Sequence, residues 1–201
     1  MIRLVVATTN KNKIREIGAL LAGVAVDLIT LDGWPHVAPP EETGRTFEEN
    51  ARLKALYYAA ATGQLVVAED SGLEIDALGG APGVESARYG GADATYPEKF
   101  TKIYKALAGR GGPWTARFVC ALTLARPDAP LFETRGTIEG QIAPAPRGAA
   151  GFGYDPIFFY PPYGRTLGDV SMEEKAAVSH RGQAFSRLRG FLERTPLDQP
   201  R

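Results

Sequence analysis

The stretch from Leu65 to Gly91, LVVAEDSGLEIDALGGAPGVESARYGG, constrains the chain more than any other. It opens on Leu65, Val66, Val67 and Ala68, a run with the length and β-branched content of a buried strand. That strand is expected to stop at Glu69, Asp70, Ser71 and Gly72, because an unpaired charge costs far more to bury than a methyl group. A strand ending on polar residues is where an open α/β sheet keeps its ligand. Downstream, Gly79-Gly80-Ala81-Pro82-Gly83 can turn tightly and approach a bound molecule closely.

Paired carboxylates at a strand end serve either a hard divalent cation or acid/base chemistry, and a solvated turn capped by Asp70 is the plainer alternative. Successive side chains of a regular strand point to opposite faces, so Glu69 and Asp70 cannot both address one site. Asp70, beside the Ser-Gly turn, is the better candidate of the two.

Composition narrows the partners. In 201 residues, Lys plus Arg and Asp plus Glu each number 23, so no net field draws the protein to a polynucleotide or an anionic membrane. The length suits one domain or a bilobed one, and with no internal repeat or linker residues 1–195 read as a single domain followed by a tail, 196–201. Cys120 is the one cysteine; it lies in an apolar run, as a buried thiol of a reducing compartment would. No apolar run is long enough to span a bilayer, and the N-terminus enters a strand at once, so a soluble cytoplasmic protein is expected.

The chain begins with a strand from Ile2 to Ala7, then Thr8-Thr9-Asn10-Lys11-Asn12-Lys13, then a helix carrying Ile14, Ile17 and Leu21. Strand, polar turn and helix start make an anion site from free N–H groups and a positive dipole end, although the turn lacks the Walker A pattern and a plain asparagine cap fits it equally. A second strand follows at Val26 to Leu31. Thr46 and Glu49 form a capping box for a helix ending at Gly63, with Glu41 and Glu42 just upstream as exposed acids able to reach a metal. His36 stands alone in a loop, without partners at metal spacing.

Thr95 and Glu98 cap an amphipathic helix whose Phe100, Ile103, Tyr104 and Leu107 face a core. Residues 115–124 and 131–142 alternate as two strands of an antiparallel hairpin, the second kinked at Gly136 and Gly140. Helical units on either side of a hairpin imply a mixed sheet. The segment Phe152-Gly153-Tyr154-Asp155 joins an aromatic that can stack on a flat ring to an acid that can read ring N–H groups, or else forms an ordinary strand-edge turn. Ser171 and Glu174 cap a short helix and Ser179 starts a longer one, bringing Lys175, His180 and Arg181 near two helix ends, where cations suit phosphate or are merely solvated.

Five segments, TNKNK, EETGRTFEENARLKA, AEDSGLEIDALGGAPGVESARYGG, GFGYDPIF and EEKAAVSHRGQA, stand in the order and spacing of one family. They resemble the inosine/xanthosine triphosphate pyrophosphatases over nearly the whole chain, from Thr8 to about Ala184. The resemblance implies an α/β fold with a mixed, strongly twisted central sheet flanked by helices, two lobes with the active cleft between them, and a homodimer. It implies hydrolysis of ITP, dITP and XTP to the monophosphate and pyrophosphate, a house-cleaning role in nucleotide metabolism.

By position, the resemblance makes Thr8, Thr9, Asn10, Lys11, Asn12 and Lys13 the triphosphate loop. Glu41 and Asp70 become ligands of Mg²⁺, with Glu42 an alternative register. Asp70 is also the proton acceptor, Ser71 a substrate contact, and Glu69 a second candidate for orienting the water. Phe152, Gly153, Tyr154 and Asp155 become the base pocket, and Lys175, His180 and Arg181 further substrate contacts. Two positions depart: Thr9 stands where glycine or another small residue is common, and Glu69 where aspartate is common. A pyrophosphatase of modified pyrimidine nucleotides and a nonenzymatic nucleotide sensor are the rivals; GFGYDPIF and SHR argue against the first, and the acids Asp70 and Glu41 against the second.

Overall fold

A computed structural model describes residues 2–195 and 197. The expected tail from Pro196 to Arg201 lies outside the described residues except for Leu197. The elements run β1 (Ile2–Val6), α1 (Lys11–Leu20), β2 (Val26–Thr30), α2 (Phe47–Thr62), β3 (Leu65–Ile75), α3 (Tyr96–Leu107), β4 (Thr115–Ala125), β5 (Pro130–Ile142), β6 (Phe158–Tyr160), β7 (Arg165–Thr166), α4 (Met172–Val178) and α5 (His180–Arg194). The seven strands form one mixed sheet in the order β2-β1-β3-β4-β5-β6-β7. β1 pairs parallel with β2 and β3, whereas β6 pairs antiparallel with β5 and β7.

The chain divides into two compact units. Among the described residues the first holds 2–70, 120–136, 181–195 and 197, and the second holds 71–119 and 137–180. Each has its own core. In the first unit the strands alternate: Leu4, Val6, Leu65 and Val67 face Ile17, Phe185 and Leu188 of α1 and α5, while Val5, Val66 and Ala68 face Ala55, Tyr58 and Ala59 of α2. In the second, Leu73, Ile75 and Phe118 pack with Phe100, Ile103 and Leu107 of α3 and with Phe158.

Local chemistry accounts for the helix ends. Asn10 caps α1, accepting from the amides of Asn12 and Lys13. Capping boxes at Thr46/Glu49, Thr95/Glu98 and Ser171/Glu174 start α2, α3 and α4, and Gly63 ends α2 with φ of 67°.

One expectation needs correction. β3 does not stop at Ala68 but runs on through Glu69, Asp70 and Ser71 to Ile75, because both carboxylates meet cationic or amide partners inside the fold. β5 spans the expected residues; at Gly140 the missing side chain lets β6 come close, since a Cβ there would stand 2.6 Å from the Phe158 ring. The longer C-terminal helix starts directly after Ser179, as expected, and the same residue is the C-cap of α4.

Candidate active site

In the first unit, strand alternation sends the two acids of β3 to different faces. Asp70 follows Val66 and Ala68 toward α2, where residues four apart, Asn50 and Lys54, present their polar ends. The Asn50 amide donates to Asp70 Oδ2 at 3.2 Å, and its own oxygen accepts the Gly44 N–H at 2.8 Å. Lys54 Nζ donates to Asp70 Oδ1 at 3.2 Å and to Glu42 Oε1 at 2.7 Å. Burial pushes the Asp70 carboxyl above its ordinary range; Lys54 opposes that push and the like charge of Glu42 adds to it.

Glu42, then, is the acid brought to Asp70; Glu41 is exposed. Asn50 fastens Gly44, two residues after Glu42, whose carboxylate meets Lys54 beside Asp70. Close approach demands a glycine at 44: a Cβ there would lie 2.6 Å from Asn50 Oδ1. The donor set fits a hard divalent cation. Two carboxylates already converge on one ammonium, and no group of three or more His, Cys, Asp or Glu able to hold a metal occurs among the described residues. Such a pair suits Mg²⁺, which takes one or two carboxylates with substrate phosphates.

Glu69 follows Leu65 and Val67 to the opposite face. Its Oε1 accepts from Arg181 Nε at 3.0 Å, from Arg181 Nη2 at 2.9 Å and lies 3.1 Å from Lys13 Nζ. Its Oε2 accepts the Cys120 thiol at 2.9 Å, and Arg181 Nη1 donates to Glu16 at 2.7 Å. Although burial raises the Glu69 carboxyl, Arg181 and Lys13 overcome it and hold the group well below the usual carboxylate range. Burial and the Glu69 charge push the Cys120 thiol well up. The loop from Thr8 to Lys13 runs past this cluster: Thr8 Oγ1 accepts from Asn10 N at 3.2 Å, while Thr9, Asn10 and Lys11 are exposed.

In the second unit, Asp155 and Lys175 form a buried pair at 2.6 Å. The same Asp155 Oδ2 accepts the Phe152 N–H at 2.7 Å, and Lys175 Nζ sits 4.6 Å from the Phe152 ring centroid. Gly151, at φ of 71°, makes the turn: a Cβ there would stand 2.2 Å from Asp155 Oδ2. Tyr154 turns the other way. Its ring is 4 % exposed in the core and its hydroxyl donates to the Ser86 carbonyl at 2.8 Å, so it supports the GFGYD turn from beneath. His180 stacks on Phe118 with centroids 4.9 Å apart and planes 17° apart, and Ser71 is half-buried directly after Asp70.

A model of the Ham1 family matches residues 4–191. The chain belongs to the Ham1 family. Its relatives include the dITP/XTP pyrophosphatase of Thermus thermophilus, 48 % identical over 192 residues, covering 95 % of this chain and 90 % of that one. Another is the dITP/XTP pyrophosphatase of an Exiguobacterium strain, 46 % identical over 186 residues, covering 92 % and 94 %. The HAM1 protein of Coxiella burnetii superposes with a TM-score of 0.90 at 42 % identity, over 97 % of this chain and 100 % of that one. The Staphylococcus aureus Ham1 protein gives 0.86 at 38 % identity, over 95 % and 98 %. The mixed α/β fold expected from sequence is therefore the Ham1 fold.

Asn50, Lys54, Glu16 and Cys120 are site residues that sequence reasoning passed over. Asn50 and Lys54 lie on one face of α2 at i, i+4, a spacing visible in FEENARLKA. Cys120 and Glu16 carry no such signal, because the thiol meets Glu69 from 51 residues away and Glu16 meets Arg181 from 165 residues away.

Proposed function

We propose that the protein is a nucleoside triphosphate pyrophosphatase that hydrolyses dITP, ITP and XTP to the monophosphate and pyrophosphate. The observation that carries this reading is Asp70: a buried carboxylate held by Asn50 and bridged to Glu42 by Lys54, in a chain of the Ham1 family. Glu42 and Asp70 would hold Mg²⁺. When bound, the ion neutralises phosphate charge and lowers the cost of charge development at the leaving pyrophosphate.

The protein's own groups supply the rest. Lys13, Lys54 and the capped start of α1 bind the phosphate oxygens as positive partners. Asp70 orients the water that attacks the α-phosphorus; the bond to the bridging oxygen breaks and pyrophosphate leaves. Phosphoryl transfer asks chiefly for positioning and charge neutralisation, which this set provides.

Base selection follows from Lys175 and Phe152. An ammonium has three donors and no acceptor, so held over the Phe152 ring by Asp155 it favours a 6-oxo group and disfavours the 6-amino group of ATP. GTP shares the 6-oxo group, so its rejection falls to the 2-position, with His180 in its Phe118 stack the group we assign there.

The substrate is thus a small nucleotide, and neither a polynucleotide nor a membrane takes part in this reading. Among the described residues no helix is long and apolar enough to cross a membrane. A cytoplasmic homodimer completes the proposal; light scattering and cell fractionation check it. The deciding assay incubates the protein with Mg²⁺ and ITP, XTP, dITP, GTP or ATP and separates pyrophosphate from orthophosphate. Pyrophosphate from the first three, with little turnover of ATP and GTP, is expected. Orthophosphate alone would overturn the cleaved bond, and tight binding without turnover would describe a sensor.

A further inference from the structure

We propose that Glu69 is a positioning residue that aims Lys13, and that Arg181, Glu16 and Cys120 hold it in place for that task. The inference rests on the pyrophosphatase reading and deepens it, since it gives two of the residues expected to touch substrate or water a different role.

The Glu69 side chain is 2 % exposed and both of its oxygens are engaged: Oε1 by two N–H groups of Arg181 and by Lys13, Oε2 by the Cys120 thiol. A carboxylate held at both ends cannot rotate about its terminal bond, and it has little capacity left to orient a water. Arg181 is equally committed. Its guanidinium, 2 % exposed, spans Glu69 and Glu16, so the fork that would suit a phosphate is spent on two acids. Two acids and two cations balance within the cluster.

Lys13 is the member that reaches out. At 18 % side-chain exposure it stands in the first turn of α1 beside the Asn10 cap, with its ammonium 3.1 Å from Glu69. A free lysine sweeps many rotamers, and fixing it costs side-chain entropy. The Glu69 ion pair tethers the ammonium on one side, while an ammonium has donors enough for phosphate oxygens as well. The ordering cost is met before substrate arrives, which is what preorganisation means for an electrostatic site.

A double-mutant cycle tests this. Glu69→Gln is expected to lower kcat/KM for ITP about 10- to 100-fold, the cost of misplacing a phosphate-binding group. In a Lys13→Met background the same change should lower it less than about threefold, because a group that acts through Lys13 has nothing left to aim. Equal losses in both backgrounds, or no loss with Lys13 present, would overturn the proposal. If Glu69→Gln fails to fold, Glu69→Asp keeps the charge but withdraws it by one methylene, and the same non-additivity is expected. Cys120→Ala withdraws the donor to Oε2 and should raise KM for ITP; an unchanged KM would also count against the scheme. Wild-type protein that makes no pyrophosphate from ITP would sink the functional reading itself, while active wild type with an additive cycle would sink this inference alone.

Discussion

Glu69 and Asp70 are consecutive in β3, yet their carboxylates end on opposite faces of the sheet, one against Arg181 and Cys120 and the other against Asn50 and Lys54. One peptide bond separates a buried structural ion pair from the acid assigned to the reaction. Changes at the two positions should therefore differ in kind.

At Asp70, replacement by Asn should lower kcat about 10²- to 10⁴-fold, the range for loss of a positioned proton-handling group. Stability should hold or rise, because burial and Glu42 make the ionised carboxylate unfavourable there. Turnover with retained Tm checks both parts together.

The two neighbouring glutamates give a sharper comparison. Glu42→Gln should lower kcat/KM about 10- to 100-fold and raise the Mg²⁺ concentration needed for half-maximal rate. Glu41→Gln, at an exposed position, should stay within about twofold. A Mg²⁺ titration of both variants reads the register of the metal site directly.

Asn50→Ala should cost stability as well as rate. It leaves the Gly44 N–H and one oxygen of Asp70 without their partner, about 1–3 kcal/mol for an unsatisfied buried group. In a chain of this size that lowers Tm by about 2–4 °C for each kcal/mol, which calorimetry resolves.

Two buried groups set the pH limits in opposite directions. The folded Glu69 carboxyl is depressed, so its contribution is full above the unfolded value of about 4.3 and drains away as pH falls toward the folded one. The folded Cys120 thiol is raised, so its contribution is full below about pH 8.5 and is lost as pH climbs toward the folded value. A thiol reagent at pH 8 should leave Cys120 unmodified in native protein and label it on unfolding in urea, since the native group is both neutral and fully buried.

Gly151→Ala should damage nucleotide binding more than chemistry. The positive φ costs about 1–2 kcal/mol for a residue with a Cβ, and that Cβ would displace the Asp155 carboxylate that holds Lys175 and the Phe152 N–H. KM for ITP should rise with kcat less affected, and discrimination against ATP should weaken.

Much of this was legible in the residues themselves. The capping boxes at Thr46, Thr95 and Ser171, the glycine stop at Gly63 and the alternation of β4 depend on neighbours within a few positions, and these elements appear where local chemistry puts them. The mixed sheet followed from a hairpin set between helical units, and the order of motifs pointed to the family. Local rules failed where a partner came from afar. β3 was expected to end at its first charge because no sequence window contains Arg181, Lys13 and Lys54 together. The resemblance names Glu41 ahead of Glu42, and only the fold, with Asn50 fastening Gly44, shows that Glu42 is the one that meets Lys54. No neighbour in sequence shows that the Tyr154 hydroxyl donates to the Ser86 carbonyl, 68 residues away. Sequence alone determined which side chains could carry the chemistry and which backbone each lay on. Tertiary structure decided which charge meets which, because the cost of burying a carboxylate is settled only by the partner that folding brings to it.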